Sequence, residues 1–287
     1  FCARSGRGSS DVPNRKTLLN PNGGQQGAAS EGMMATSEAM ELQRGKAAPA
    51  ARQNSPIAYG LGSFGLESTY KVFRGFYVFF YVDGLGLAVA LAAVINVVYA
   101  VWDAVNDPLV GYLSDNTRTR WGRRRPWLLA GLPFYVALLV LTYAVPGAFR
   151  QGQALFIYAM AVILLFETAY TVMGVNYTAL FPELFRGFRE RTRASGYYQG
   201  FSMVGELLGF ALPPLIYAQF GFAPMAVSFA AVAGVTLLIG ILRNSEDPKA
   251  RQAPPLDLKG AFGPVLRDRP FWMFAIALTF LTFTTGV

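Results

Sequence analysis

Histidine is absent from this sequence, and cysteine occurs once, at Cys2. A lone thiol excludes a disulfide framework and cysteine-ligated clusters, and without histidine the usual zinc sites have no ligands. Charge is scarce as well, with 15% Asp, Glu, Lys and Arg against about 25% in a soluble domain. No nucleophile–base pair and no metal motif stands out, so neither an enzyme nor a bound cofactor is expected. What the chain has in quantity is apolar residues, 53% of the total. They fall into six long stretches, roughly 57–82, 86–113, 127–147, 152–180, 195–219 and 222–242, and a seventh begins near Pro270. Each of the six is long enough for a bilayer, whose core takes about 20 apolar residues in a helix. The pattern predicts an all-α, polytopic protein embedded in a lipid bilayer.

The formal charge of +8 raises the question of nucleic acid, and the placement of the basic residues answers it. Before residue 57 there are seven, in the 114–126 loop five, in the 181–194 loop four and in the 243–269 loop six, making 22 of 25. Of the rest, Arg150 lies in an intervening loop, and Lys71 and Arg74 lie inside the first stretch. Alternation of this kind is the positive-inside pattern of a membrane protein and not a nucleic-acid face. It predicts a cytoplasmic amino terminus in a plasma (inner) membrane, with every second loop on that side.

Residues 1–56 are rich in Gly, Ser, Ala, Gln and Asn and read as a disordered cytoplasmic tail, with Met33, Met34 or Met40 as the expected start. No apolar core of a signal peptide precedes residue 56, so a cleaved signal is not expected there. The 57–242 stretch reads as a six-helix bundle, 243–269 as a cytoplasmic linker, and 270–287 as the start of a second membrane half. That layout matches the first half of a twelve-helix transporter built from two repeats.

Within this greasy chain a few polar residues stand out. In "VWDAVNDPLVGYLSDNTRTRWGRRRPW" (101–127), Asp103 and Asp107 are four apart and share a helix face, with Asn106 beside them. Four residues amount to about 6 Å of helix axis, and Asp103 lies roughly 18 Å from the exit at Asp115. A carboxylate at that depth is expensive, and intramembrane acids are functional by default. The pair suits a sodium ion or a shared proton. On the first helix Glu67, Lys71 and Arg74 share a face. They form either a salt-bridge ladder along the helix or a polar stripe lining a cavity, where Glu67 accepts substrate hydroxyls. Glu167, Thr171, Gly174 and Thr178 share a face of the fourth helix, and Glu206 in the fifth is suited to tying two helices together. At the helix end, Gly111 is expected to allow close packing. Asp115 with Arg118, Arg123 and Arg124 makes a charge cluster suited to a conformational gate.

Three stretches carry a family resemblance: "YGLGSFGLE" (59–67), "WDAVNDPLVGYLSDNTRTRWGRRRPW" (102–127) and "YTVMGVNYTALFPEL" (170–184). They resemble the melibiose-permease-like glycoside–pentoside–hexuronide:cation symporters of the major facilitator superfamily. The resemblance covers about residues 57–287 and is most specific in the "WDAxNDP" stretch. It implies cation-coupled symport of a sugar or glycoside, a uronide among the candidates, by a monomer coupled to proton or sodium. It also implies that Asp103, Asp107, Asn106 and Thr171 hold the cation and that Glu67 touches the substrate. Two positions depart: Gly174 stands where the family has an aspartate, and Gln199 where melibiose permeases have a sugar-contacting arginine. Lys71, Arg74 and Glu167 are further candidates for substrate contact. The competing expectation is a lysolipid or organic-anion transporter of the same superfamily.

Overall fold

The computed structural model describes residues 54–246, 268–273 and 276–277. The expected tail up to residue 53, most of the expected linker and the end of the seventh stretch lie outside the described residues. The order of elements is α1 (Pro56–Phe79), a π turn (Phe80–Gly84), α2 (Val89–Asn116) and α3 (Arg125–Tyr143). A short 3-10 turn (Gly147–Phe149) then leads to α4 (Gly152–Leu184), α5 (Phe188–Phe220) and α6 (Phe222–Arg243). Beyond these, residues 269–273 are helical.

Five of the six, α2 to α6, are long and apolar enough to cross a membrane. The remaining helix, α1, has 24 residues but carries Glu67, Lys71 and Arg74 in its centre and inner turns. Its start is fixed by Pro56 at the first turn and by Ser55, whose Oγ accepts the N–H of Ala58 at 3.3 Å.

Apolar runs mark the spans well and the helix ends less well. The expected loop 181–194 is mostly helical, since α4 continues to Leu184 and α5 begins at Phe188. Arg189, Glu190, Arg191 and Arg193 are exposed on the first turns of α5. Arg and Glu are good helix formers, so the helix outruns the hydrophobic stretch.

Helix α1 packs against α5 and α6, α4 against α2 and α3, and α6 also against α3. Close approach is made by small residues. A Cβ at Gly205 of α5 would lie 2.6 Å from the Phe64 carbonyl oxygen, and one at Gly209 would meet the Ser68 carbonyl. Tyrosines lace the other helices to α1. Tyr143 of α3 donates to the Val72 carbonyl at 2.8 Å, and Tyr135 shares a hydrogen bond with Thr69. The Tyr59 hydroxyl donates to the Tyr177 carbonyl and the Tyr177 hydroxyl returns a bond to the Tyr59 carbonyl, with the rings stacked at 4.5 Å. In hydrocarbon each such hydroxyl needs a protein partner, which is why these bonds fix helix positions. The α5–α6 corner is a single residue, Gly221, at φ +90°. Phe222 follows it and stacks on Tyr217 at 4.5 Å.

Candidate functional site

Asp103 stands 14 residues from the start of α2 and 13 from its end, in the middle of the span. Asp107 is one turn further on, and Pro108 after it has no N–H to donate into the helix. The partner surface is α4, where residues four apart repeat the spacing. Thr171 donates to Asp107 Oδ1 at 3.0 Å. One turn away Glu167 sits beside Asp103, with Tyr99 also within its reach. Trp102 adds a bond from Nε1 to Thr168 Oγ1 at 3.0 Å. The two helices thus meet along a polar seam, one acid-bearing rung per turn.

The seam is sparsely partnered. Glu167 is 1% exposed, and among the described residues its Oε2 has no hydrogen-bond partner. Asn106 is 3% exposed and its Nδ2 likewise has none. Asp107 lies at the open edge, in contact with the buried Thr171 hydroxyl. Sequence spacing puts Glu167 on the Thr171 face of α4, and its burial beside Asp103 brings it to the acids of α2. Among the described residues, no three His, Cys, Asp or Glu converge closely enough to hold a metal ion. At Gly174, a Cβ would meet only Tyr170, at 3.8 Å, so packing leaves room there for a side chain.

The α1 stripe does not form a ladder along its own helix. Among the described residues, Lys71 pairs with Glu206 of α5 at 3.9 Å, both about half exposed, and not with Glu67. Glu206 therefore ties two helices, as its position suggests. Arg74 donates to Tyr70 Oη at 3.3 Å and lies over the rings of Tyr70 and Tyr99, at 5.8 and 6.0 Å. Tyr70 in turn stacks on Tyr170 of α4 at 3.8 Å. These aromatic contacts connect the α1 stripe to the α2–α4 seam. Gln199 is exposed and lines a cavity of about 260 Å³ with Tyr59, Thr178, Phe181, Ser195 and Tyr198.

The charge cluster at the α2–α3 loop is denser than its sequence suggests. Arg124 meets Asp115 at 2.6 Å, Arg123 meets Glu183 at 2.9 Å, and Arg124 also approaches Glu183 at 3.7 Å. Arg118 is exposed at the rim. Gly111 makes no close approach: a Cβ there would meet only Val175, at 3.9 Å. The expected tight packing is made instead by α5 glycines against α1. Glu183 and Glu246 are the members that sequence spacing misses. Their one signal was position, since both are acids at the end of a span on the same side as five arginines.

Residues 58–287 match the family described as MFS/sugar transport protein. The chain belongs to that family. It is a multi-pass membrane protein of the major facilitator superfamily. An uncharacterized symporter of Synechocystis is 34% identical over 77% of this chain and 42% of its own length. A putative glycoside/cation symporter of Escherichia coli is 35% identical over 55% of this chain and 34% of its own. A sodium-dependent lysophosphatidylcholine symporter of Xenopus tropicalis is 31% identical over 55% and 30%. The chain spans less than half the length of these curated relatives. Symporters of small molecules are therefore what this MFS/sugar transport chain is similar to.

Proposed function

We propose that this chain supplies the first half of a secondary active transporter that carries a sugar or glycoside together with a cation. The observation that supports it best is the α2–α4 seam, with Asp103 at mid-span, Asp107 on Thr171, and Glu167 buried beside them. Acids held there without a cationic partner cost stability that a purely structural helix contact would avoid. Alternating access would rock this bundle against a second half around the Glu67, Lys71, Arg74 and Gln199 side, where the cargo binds. Asp115, Arg118, Arg123 and Arg124 serve as the gate. Uptake of radiolabelled glycosides into vesicles, with imposed ion gradients, tests the reading. Gradient-driven accumulation is expected, and equilibration without accumulation for every glycoside and ion tried sinks it.

Proton is our choice ahead of sodium as the coupling ion. Sodium prefers several oxygen ligands, whereas Gly174 offers no carboxylate where the family has one. A proton needs one acceptor. Uptake driven by a pH gradient in sodium-free buffer, and abolished by a protonophore, is the expected result; a strict sodium requirement overturns this choice. Lys71 and Arg74 also favour cargo with an anionic group, which keeps a uronide or an anionic headgroup as the second reading. Loss of uptake competition when the carboxyl of a uronide is esterified would support it.

The positive-inside pattern supports a cytoplasmic amino terminus and a cytoplasmic α2–α3 loop. Single cysteines at Thr119 and Arg150, both exposed, are expected to react with impermeant reagent from opposite sides. Reaction from one side refutes this orientation.

A further inference from the structure

Glu246, three residues past α6, plays no part in the proposed mechanism, yet it is 4% exposed. Its partners are three consecutive backbone amides. The N–H of Arg123 donates to Oε2 at 2.7 Å, and those of Arg124 and Arg125 donate to Oε1 at 2.9 and 2.8 Å. These are amides at the start of α3, where a helix leaves its donors without partners and favours negative charge. Gly122 makes the fit possible. Its φ is +119°, a conformation L side chains rarely adopt, and a Cβ there would run into the Glu246 carboxylate.

The residues around Glu246 are tied down independently. Ser55 N–H donates to Asn244 Oδ1 at 2.9 Å, and Ser245 N–H donates to Asn54 Oδ1 at 2.9 Å. Asn54 Nδ2 reaches the Leu184 carbonyl at 3.2 Å, and Arg125 Nη2 reaches the Ile241 carbonyl at 3.1 Å. The ends of α1, α3, α4 and α6 are joined here through residues far apart in sequence. Two of the three amides held by Glu246 belong to Arg123 and Arg124, whose side chains make the ion pairs with Glu183 and Asp115.

We infer that Glu246 is a positioning residue for this charge network: it fixes the backbone of residues 123–125 so that the two guanidinium groups meet their carboxylates. A guanidinium sits at the far end of a long side chain, so a small rotation of its backbone carries it out of hydrogen-bond range. The first three residues after α6 accordingly move with this bundle. The consequence for transport rests on the reading proposed above; the positioning itself does not.

The test uses the purified full-length protein and two readouts. In limited trypsin digestion followed by mass spectrometry, cleavage after Arg123 and Arg124 is compared with cleavage after the exposed Arg120. Glu246→Ala and Gly122→Ala are expected to raise the ratio about tenfold, the scale of losing charge-assisted bonds. Glu246→Asp should recover part of the protection. In vesicles, Glu246→Ala should lower maximal uptake about tenfold and leave KM within about twofold, since the cargo contacts are untouched. Parent-like digestion of both variants overturns the inference. So does an equal rise at Arg120, which would signal general loosening; altered digestion with parent-like uptake would overturn the consequence for transport and leave the positioning standing. If digestion changes as expected but no cargo is taken up even by the parent, the transport reading fails and the Glu246 assignment stands.

Discussion

Two groups of three acids sit in the same bundle and are treated in opposite ways. Asp115, Glu183 and Glu246, at the end of the bundle that carries the α2–α3 loop, each meet an arginine or a row of backbone amides within 3.0 Å. Asp103, Asp107 and Glu167, in the middle of the spans, have tyrosine and threonine hydroxyls and one another. The chain does not lack cations nearby, for Lys71 and Arg74 belong to the neighbouring α1 stripe. Arg74 is turned onto Tyr70 and Tyr99, and Lys71 toward Glu206. Acids with strong fixed partners set the posture of the helix ends. Under the reading proposed above, acids without them are the ones that would take up a cation and release it.

The largest expected effect falls on the mid-span group. Asp107→Asn, or Asp103→Asn, should lower gradient-driven accumulation at least about tenfold while exchange of cargo across the membrane persists. If the seam holds the cation as proposed, removing one of its carboxylates removes that place and leaves the α1 side intact. Accumulation like the parent in both variants would erase the contrast between the two groups. Next comes Glu183→Gln, which takes away the shared partner of Arg123 and Arg124. With all three side chains largely buried, unfolding in detergent should show a loss of about 2 kcal/mol. An unchanged midpoint would mean that the loop-end acids are no more structural than the seam. The smallest effect belongs to Lys71→Met. Its ion pair with Glu206 is 3.9 Å long and half exposed, so stability should shift by less than about 0.5 kcal/mol. A clear loss of stability would show that the α1 stripe belongs with the fixed group. A change confined to the KM of anionic cargo would sharpen the distinction.

What could be read from sequence followed the physics that acts along one helix. Periodicity alone placed Asp103 and Asp107 on one face, and Thr171 and Glu167 four apart on another helix. The register between them is a matter of packing, so burial of Glu167 against Asp103 had no local signal. Charge spacing found Asp115 and Arg124, which are nine residues apart, one near the end of α2 and the other just before α3. It did not find Glu246, whose bonds go to amides more than 120 residues away in sequence. Backbone donors leave no mark in a residue pattern. Glycines show a related limit: among the described residues, Gly205 and Gly209 are glycines whose missing side chains let another backbone in, while a Cβ at Gly111 would meet only Val175. The apolar runs gave each span, yet they placed the start of α5 at residue 195, where the structure starts it at Phe188.

The corner at Gly221 bears on how this chain enters the bilayer during synthesis. With one residue between α5 and α6, there is no tether long enough for the first helix to settle in lipid while the second waits in the insertion machinery. A corner this short favours entry of the two as a hairpin, the arrangement in which Phe222 stacks on Tyr217. Helix α5 is the less apolar partner of the two. Carried as half of a pair, it can cross with Glu206 in its middle, because the more apolar α6 supplies the drive for both.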